Sequence, residues 1–403
     1  MKTLLTSFPR LPRWMSAILM LFLMLPGALT IQTRANDGVY FVSGNHLVPL
    51  METDISIDKE VLTITLTDEG YALVDVVYEL LNPGAEKTLL MGFEADAPYN
   101  AEYALHHDGV HPYIKDFTVT LNGKALPYSS AVASSDLDNL MPLDLGKWKH
   151  GSEDSKTDEM IGIGNVLYNA QADSIINFAY VSYFNAVFPS GRSTVHHTYR
   201  YTLSYNVCSL YTLSYKLTPC TRWATGKVRD FTLYIKAENT AKDFLIESTS
   251  AFLADTFTIE GEAGKQRILK DKWDIERRQI VLRNASAVIH KTDFAPESEL
   301  VLSSTDAAYC DEQDLPLGTF YDRSEGYRPR NLAGLTSEHK KPLDKRILRN
   351  LPYAFRGYAF KDTKLKKYFS QFFWYMPNER VKDTDAVLSK KEQQFVSGTY
   401  QED

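Results

Sequence analysis

Residues 71–84 read YALVDVVYELLNPG, and this stretch decides the fold class. From Tyr71 to Leu81 the chain is rich in Val, Leu and Tyr, the residues that suit a pleated and largely buried strand. The run stops at Asn82-Pro83-Gly84, where Pro fixes φ and Gly accepts a positive one. Lys87–Phe93 (KTLLMGF) then reads as a returning strand.

The same grammar repeats outward from this point. Asp116–Lys124 (DFTVTLNGK) alternates apolar and polar residues at period two and meets Asn122-Gly123, the strongest short hairpin signal. Asn177–Phe188 and Thr194–Tyr205 flank Pro189-Ser190-Gly191-Arg192, a second expected hairpin. Phe231–Ile235 and Gln279–Leu282 add further short strands. YTLSY occurs at 201–205 and again at 211–215, an echo too short for a repeat architecture and explained by two successive β segments. The fold class is therefore mainly β, in antiparallel sandwich-like sheets. Its size predicts two β subdomains, divided within the polar stretch 129–157.

Composition agrees with a globular, aromatic-rich chain: of 403 residues, 24 are Tyr and 20 are Phe. Lys2, Arg10 and Arg13 precede the apolar run Ala17–Leu25, which Pro26-Gly27 breaks. That run is short for a membrane span, so residues 1–35 read as a cleaved export signal with the cut after Ala35. Residues 36–340 then carry 27 basic and 43 acidic side chains, whereas residues 341–403 carry 13 and 8. An acidic body thus bears a basic tail, and the tail is the part suited to an anionic polymer. Three cysteines (Cys208, Cys220 and Cys310) make no disulfide scaffold. Cys208 and Cys220 either pair or remain buried thiols.

The period changes after a Pro- and Gly-punctuated linker at 311–340. Leu343, Ile347, Leu351 and Phe355 recur every four residues, which predicts an amphipathic helix opening at Pro342. Pro352 is expected to kink that helix or end it early. A second helix is expected over 362–372 and a third from about Asp385, giving a small helical domain over 341–399. Ile347, Leu348, Leu351 and Phe355 are its expected core, with Gly357 at positive φ where the first helix ends. Ten of the 23 residues from Tyr353 to Tyr375 are aromatic. A module this small has little core, and large rings are an efficient way to build one. A subset of rings beside cations would also stack on sugars. The candidate binding residues are Arg349, Tyr353, Arg356, Lys364, Lys366, Lys367, Trp374 and Tyr375.

Residues 346–395 resemble the YARHG domain of exported bacterial proteins. The resemblance rests on Leu348-Arg349-Asn350, Tyr353-Ala354, Gly357, Phe360, Trp374-Tyr375, Pro377, Leu388 and Glu392. Phe355-Arg356 stands where that family has Arg-His, so no role of that histidine transfers. The body is similar, less specifically, to an uncharacterised β-rich exported bacterial family. That similarity rests on Asn36-Asp37-Gly38, Ser43-Gly44-Asn45, Glu52–Ile55, Asn82-Pro83-Gly84, Gly92-Phe93-Glu94, Thr218 and Arg222-Trp223. Neither resemblance implies an established activity.

Motifs for catalysis are weak. His106-His107-Asp108-Gly109-Val110-His111 is the densest metal-like cluster, but Gly109 and Pro112 put it in a loop, and it reads as solvated. His196 and His197 lie on one strand and point to opposite faces. Asp136, Asp138 and Asp144 lack the EF-hand spacing. Gly162-Ile163-Gly164 and Gly261–Lys265 lack the frames of nucleotide loops. No catalytic residue, metal ligand or cofactor is assigned, and no nucleic-acid partner is expected. The expectation is an exported, periplasmic or cell-surface protein that binds an envelope polymer, such as an anionic glycan, or a protein partner. The alternatives are an envelope-polymer hydrolase and a structural subunit of an envelope assembly.

Overall fold

The structure is a computed structural model that describes residues 35–43, 46–50, 52–68, 71–96, 108–134, 166–169, 174–205, 211–270, 274–304, 321–322, 328–329, 342–382, 388 and 390–397. Residues 1–34 of the expected leader, His106, His107, the 136–146 loop, Gly162–Gly164, Cys208 and Cys310 lie outside them, as does most of 311–340.

The strands are β1 (Ala35–Ser43), β2 (His46–Leu50), β3 (Ser56–Leu66), β4 (Tyr71–Asn82), β5 (Lys87–Ala95), β6 (Ile114–Leu121), β7 (Lys124–Ala125), β8 (Ser129–Ser134), β9 (Val166–Asn169) and β10 (Ser174–Phe188). They continue with β11 (Gly191–Thr202), β12 (Ser204–Tyr205), β13 (Tyr211–Tyr215), β14 (Val228–Ala237), β15 (Lys242–Ile246), β16 (Thr258–Lys270), β17 (Glu276–Phe294), β18 (Leu300–Ser304), β19 (Tyr321–Asp322) and β20 (Arg328–Pro329). Helices α1 (Pro342–Phe355), α2 (Thr363–Phe369) and α3 (Lys390–Ser397) follow.

A smaller sheet runs β2-β1-β5-β10-β8, with β9 on β10. A larger one runs β12-β13-β18-β15-β17-β14-β3-β4-β11-β6-β7, with β16 on β17. Neighbours are antiparallel except for β14 and β3, which are parallel. The chain is mainly β with a small helical C-terminal part, as the alternation predicts.

The two sheets share one core. Met91, Phe93, Phe184 and Phe188 of the smaller sheet pack with Val74, Val76, Val195 and Phe231 of the larger. Burying one such side chain contributes about 1.5–3 kcal/mol, so this layer dominates the stabilisation. The expectation of two β subdomains meeting within 129–157 is corrected here. Strands from before that stretch pair with strands from after it in both sheets, β5 with β10 and β4 with β11.

Two expected hairpins are corrected for the same reason. β4 and β5 lie in different sheets, as do β10 and β11. Asn82–Gly84 and Pro189–Gly191 are therefore arches between sheets. Asn82 fastens them together: its Nδ2 donates to the carbonyls of Ala85 (2.8 Å), Phe188 (3.1 Å) and Pro189 (3.2 Å). The Asn122-Gly123 hairpin stands as read, with φ of 50° and 78° turning β6 into β7.

In the tail, Ile347, Leu351 and Phe355 are buried along one stripe of α1, while the side chain of Leu348 lies outside the described residues. The helix runs through Pro352 to Phe355, so of the two expected effects of that proline the early end is corrected. Pro352 is itself buried beside Leu351, Tyr353 and Phe355. That packing outweighs the roughly 3 kcal/mol cost of an interior proline. α2 begins after Asp362, whose Oδ1 accepts from the amides of Lys364 and Leu365, both at 3.0 Å. The Leu365 amide, with Arg346 2.9 Å from Oδ2, holds the Asp362 carboxyl below its usual value.

Candidate functional site

The tail docks on the β16–β17 end of the large sheet. Along β17, Ile280 and Leu282 enter the inter-sheet core, whereas Val281 between them belongs to the tail's aromatic core. Side chains alternate across a strand, so Val281 and Arg283 face outward under the tail. The Ala241 amide donates to the Phe355 carbonyl at 2.9 Å. Lys265 of β16 donates to the carbonyls of Phe373 (3.3 Å) and Tyr375 (3.0 Å), and burial lowers its ammonium below the usual range. The Arg267 guanidinium lies 4.2 Å from the centre of the Phe373 ring.

Arg283 is the pivot of this contact and is only 1% exposed. Its Nη1 donates to Glu262 Oε1 at 2.7 Å and its Nη2 to the Met376 carbonyl at 3.2 Å. Its Nε is buried without a hydrogen-bond partner among the described residues. Glu262 also accepts from Asn284 Nδ2 (2.9 Å) and Asn378 Nδ2 (2.7 Å), so one carboxylate ties β16, β17 and the tail together. Burial works to raise the Glu262 carboxyl, but the hydrogen bonds from Asn284, Arg283 and Asn378 prevail and leave it lowered.

A cleft of about 530 Å³ opens beside this knot. Arg283, Arg356, Arg380 and Lys382 line it with Asn239 and Asn284, and Glu262 is its lone carboxylate among the described residues. Arg380 and Lys382 are exposed and have no carboxylate partner among the described residues. Among the described residues four cations line the cleft with one engaged carboxylate, and the exposed Arg380 and Lys382 give it a positive rim, in a cleft of ordinary ligand-site volume.

The sequence candidates divide in two. Arg349, Lys364, Lys366 and Lys367 are exposed. Tyr353, Trp374 and Tyr375 are buried in the tail's core, as its small size implies, and only the alternative of a subset of rings exposed beside cations is corrected. The Trp374 ring centre lies 4.4 Å from that of Phe355, and Tyr375 donates from its hydroxyl to the Tyr358 carbonyl. Arg356 is nearly buried, donates from Nη1 to the Pro352 carbonyl at 3.1 Å, and lines the cleft. The body's share of the cleft carries no local sequence signal.

Two other readings are settled by placement. His111 is buried, its Nε2 2.8 Å from the Asp96 carbonyl and its Nδ1 accepting the Tyr113 amide at 3.0 Å, so it is a structural residue and not a solvated one. Cys220 is a buried free thiol raised well above its usual value by burial and by Glu60 and Glu299. Among the described residues no three His, Cys, Asp or Glu side chains gather to hold a metal ion, and no helix is long and apolar enough to cross a membrane.

The motifs behind the body's resemblance converge on a separate buried ionic network. Glu94 meets Arg222 and lies 3.3 Å from Lys216 Nζ, which is also 3.1 Å from Asp96. Glu299 accepts the Thr218 hydroxyl at 2.6 Å, and the Glu52 amide donates to the Arg222 carbonyl at 2.8 Å. This network staples β5 to the turn between β13 and β14 and is closed to solvent.

No curated protein matches the chain. In solved structures, a candidate nutrient-binding protein of Legionella pneumophila shares 18% identity at a TM-score of 0.44, covering 91% of this chain and 98% of that one. An M1 zinc metallopeptidase of Deinococcus radiodurans shares 8% at a TM-score of 0.26, covering 64% of this chain and 44% of its own. Neither likeness bears on ligand or activity. The YARHG domain family matches residues 323–401, beginning inside the stretch expected to be linker. The helical tail that walls the cleft is thus a YARHG domain, carried behind a β-rich body.

Proposed function

We propose that this is an exported, non-catalytic binding protein of the cell envelope, and that the cleft between body and tail holds an anionic group of its ligand. The observation that carries the reading is the gathering of Arg283, Arg356, Arg380 and Lys382 in a cleft where, among the described residues, Glu262 supplies the one carboxylate. Guanidinium groups match phosphate and carboxylate oxygens in pairs, and a buried cationic wall raises the local anion concentration. Export is supported by the charged and apolar leader. A mature protein whose first residue is Asn36 is the expected result of N-terminal sequencing, and retention of residues 1–35 in a cytoplasmic form would refute it.

The cleft is tested by calorimetric titration of the purified protein with inorganic phosphate across a salt series. Arg380→Ala with Lys382→Ala, both at exposed positions, is expected to weaken binding at least ~10-fold, and affinity is expected to fall as salt rises. Unchanged phosphate affinity in the double variant, or no binding at low salt, would remove the cleft from the functional account.

A further inference from the structure

The outer face of the large sheet does not end at the tail. Lys236 of β14 pairs with Ser286 of β17 on one side and Thr65 of β3 on the other, Thr65 with Leu73, and Leu73 with Arg200. The adjacent row runs through Thr63, Asp75, Thr198 and Thr118. Side chains from these rows, with Tyr71, line an open groove of about 660 Å³ on the same face that the tail covers further along.

The groove differs in chemistry from the cleft. Two carboxylates, Asp75 and Asp116, face two cations, Arg200 and Lys236, so it exerts no net pull on an ion. Three threonine hydroxyls, from Thr63, Thr65 and Thr198, add groups that both donate and accept. Leu73 is 43% exposed, unusual for a large apolar side chain, and it lies beside the half-exposed Tyr71 ring. The Arg200 guanidinium is held in place, 5.2 Å from the centre of the Tyr71 ring and 3.1 Å from Asp116.

The backbone is shaped at this spot. The β11–β6 register slips between Thr198 and Arg200, and Asp116 opposite that slip has φ of 56°. Such a bulge re-aims a side chain, and a non-glycine residue held at positive φ is the kind of local strain that gathers at ligand sites. A balanced set of charged and hydroxyl groups beside an apolar strip is complementary to a sugar, whose hydroxyls ring an apolar C–H face.

Groove and cleft adjoin. Lys236 in the groove precedes Asn239 in the cleft by three residues, which puts their backbones at most about 10 Å apart. On β17, Ser286, the strand partner of groove-lining Lys236, stands two residues from Asn284 of the cleft. The geometry points to one extended ligand, an acidic oligosaccharide: its anionic group sits in the cleft and its neutral sugar rings lie along the groove. This assignment rests on the anion reading of the cleft.

The test applies the purified protein to an array of uronic-acid and phosphosugar oligosaccharides with their neutral counterparts. Inorganic phosphate is titrated in parallel. Acidic oligosaccharides are expected to be retained over neutral ones. Tyr71→Ala is expected to weaken that retention at least ~10-fold, the size of effect that loss of a ring contact produces, with phosphate affinity unchanged. Leu73→Asp, at an exposed position, gives the same readout should Tyr71→Ala lower the melting temperature. If phosphate binds but acidic oligosaccharides are not retained, or if both groove variants retain them as the wild type does, the groove assignment falls alone. If phosphate does not bind, or Arg380→Ala with Lys382→Ala leaves it bound, the cleft reading falls and takes the groove assignment with it.

Discussion

Replacing Lys216 with Met is expected to destabilise the protein by about 3–5 kcal/mol, the cost of removing one partner from a buried ionic network. The ammonium is 3.1 Å from Asp96 and 3.3 Å from Glu94, and all three residues are buried. Burial alone would lower its pKa, but the carboxylates of Asp96 and Glu94 prevail and leave it raised above 10.5. Met fills the volume without the charge. It removes that cation from Asp96 and from Glu94, the latter still facing Arg222.

The sign with pH follows from the raised value. A group whose folded pKa exceeds its unfolded one contributes its full stabilisation below the unfolded value of 10.5 and loses it as pH rises through the folded one. The gap between wild type and Lys216→Met is therefore expected to be wide at neutral pH and to narrow above 10.5. Equilibrium urea unfolding followed by circular dichroism measures both. A loss under ~1 kcal/mol at neutral pH would mean that the network behaves as a solvated surface pair.

The staple also explains what sequence made legible. The apolar run at 71–81 and the alternation at 116–121 identify strands, because both are local patterns. The Asn122-Gly123 turn was legible because left-handed φ at both residues is a local requirement. The turns at Asn82–Gly84 and Pro189–Gly191 have equally good turn chemistry but join different sheets. Turn residues specify that the chain reverses. They do not specify which strand it meets, and that choice is made by the shared core. Within the site, Arg356 was legible from the tail's pattern, whereas Arg283, Glu262 and Asn239 come from body strands far away in sequence. The buried rings follow the reasoning from size: a short three-helix module draws Tyr353, Trp374 and Tyr375 into its core, which leaves none of these three for an exposed stacking face.

Gly357 joins that core to the body, and Gly357→Ala is expected to undo the junction. Its φ is 79°, a conformation that costs an L side chain about 1–2 kcal/mol. Space adds a second cost. A Cβ there would lie 2.6 Å from both Arg283 Cζ and the Met376 carbonyl oxygen. The backbone has little freedom to retreat, because the Gly357 amide donates to the Ala354 carbonyl at 2.9 Å and its carbonyl accepts the Asn378 amide at 2.8 Å. Arg283 would have to move, and with it the link through Glu262 that sets the cleft. The expected outcome is a loss of about 3 kcal/mol, summing backbone strain and a displaced buried cation, with a parallel fall in phosphate affinity. Limited proteolysis should then cut between body and tail while the sheets stay protected. Gly357→Asn separates the two costs. Asn tolerates left-handed φ but carries the same Cβ, so it should be nearly as damaging as Ala if the contact with Arg283 governs. An Asn variant that matches the wild type in stability and phosphate affinity would show that only the backbone conformation mattered, and that the tail is not fixed through Arg283.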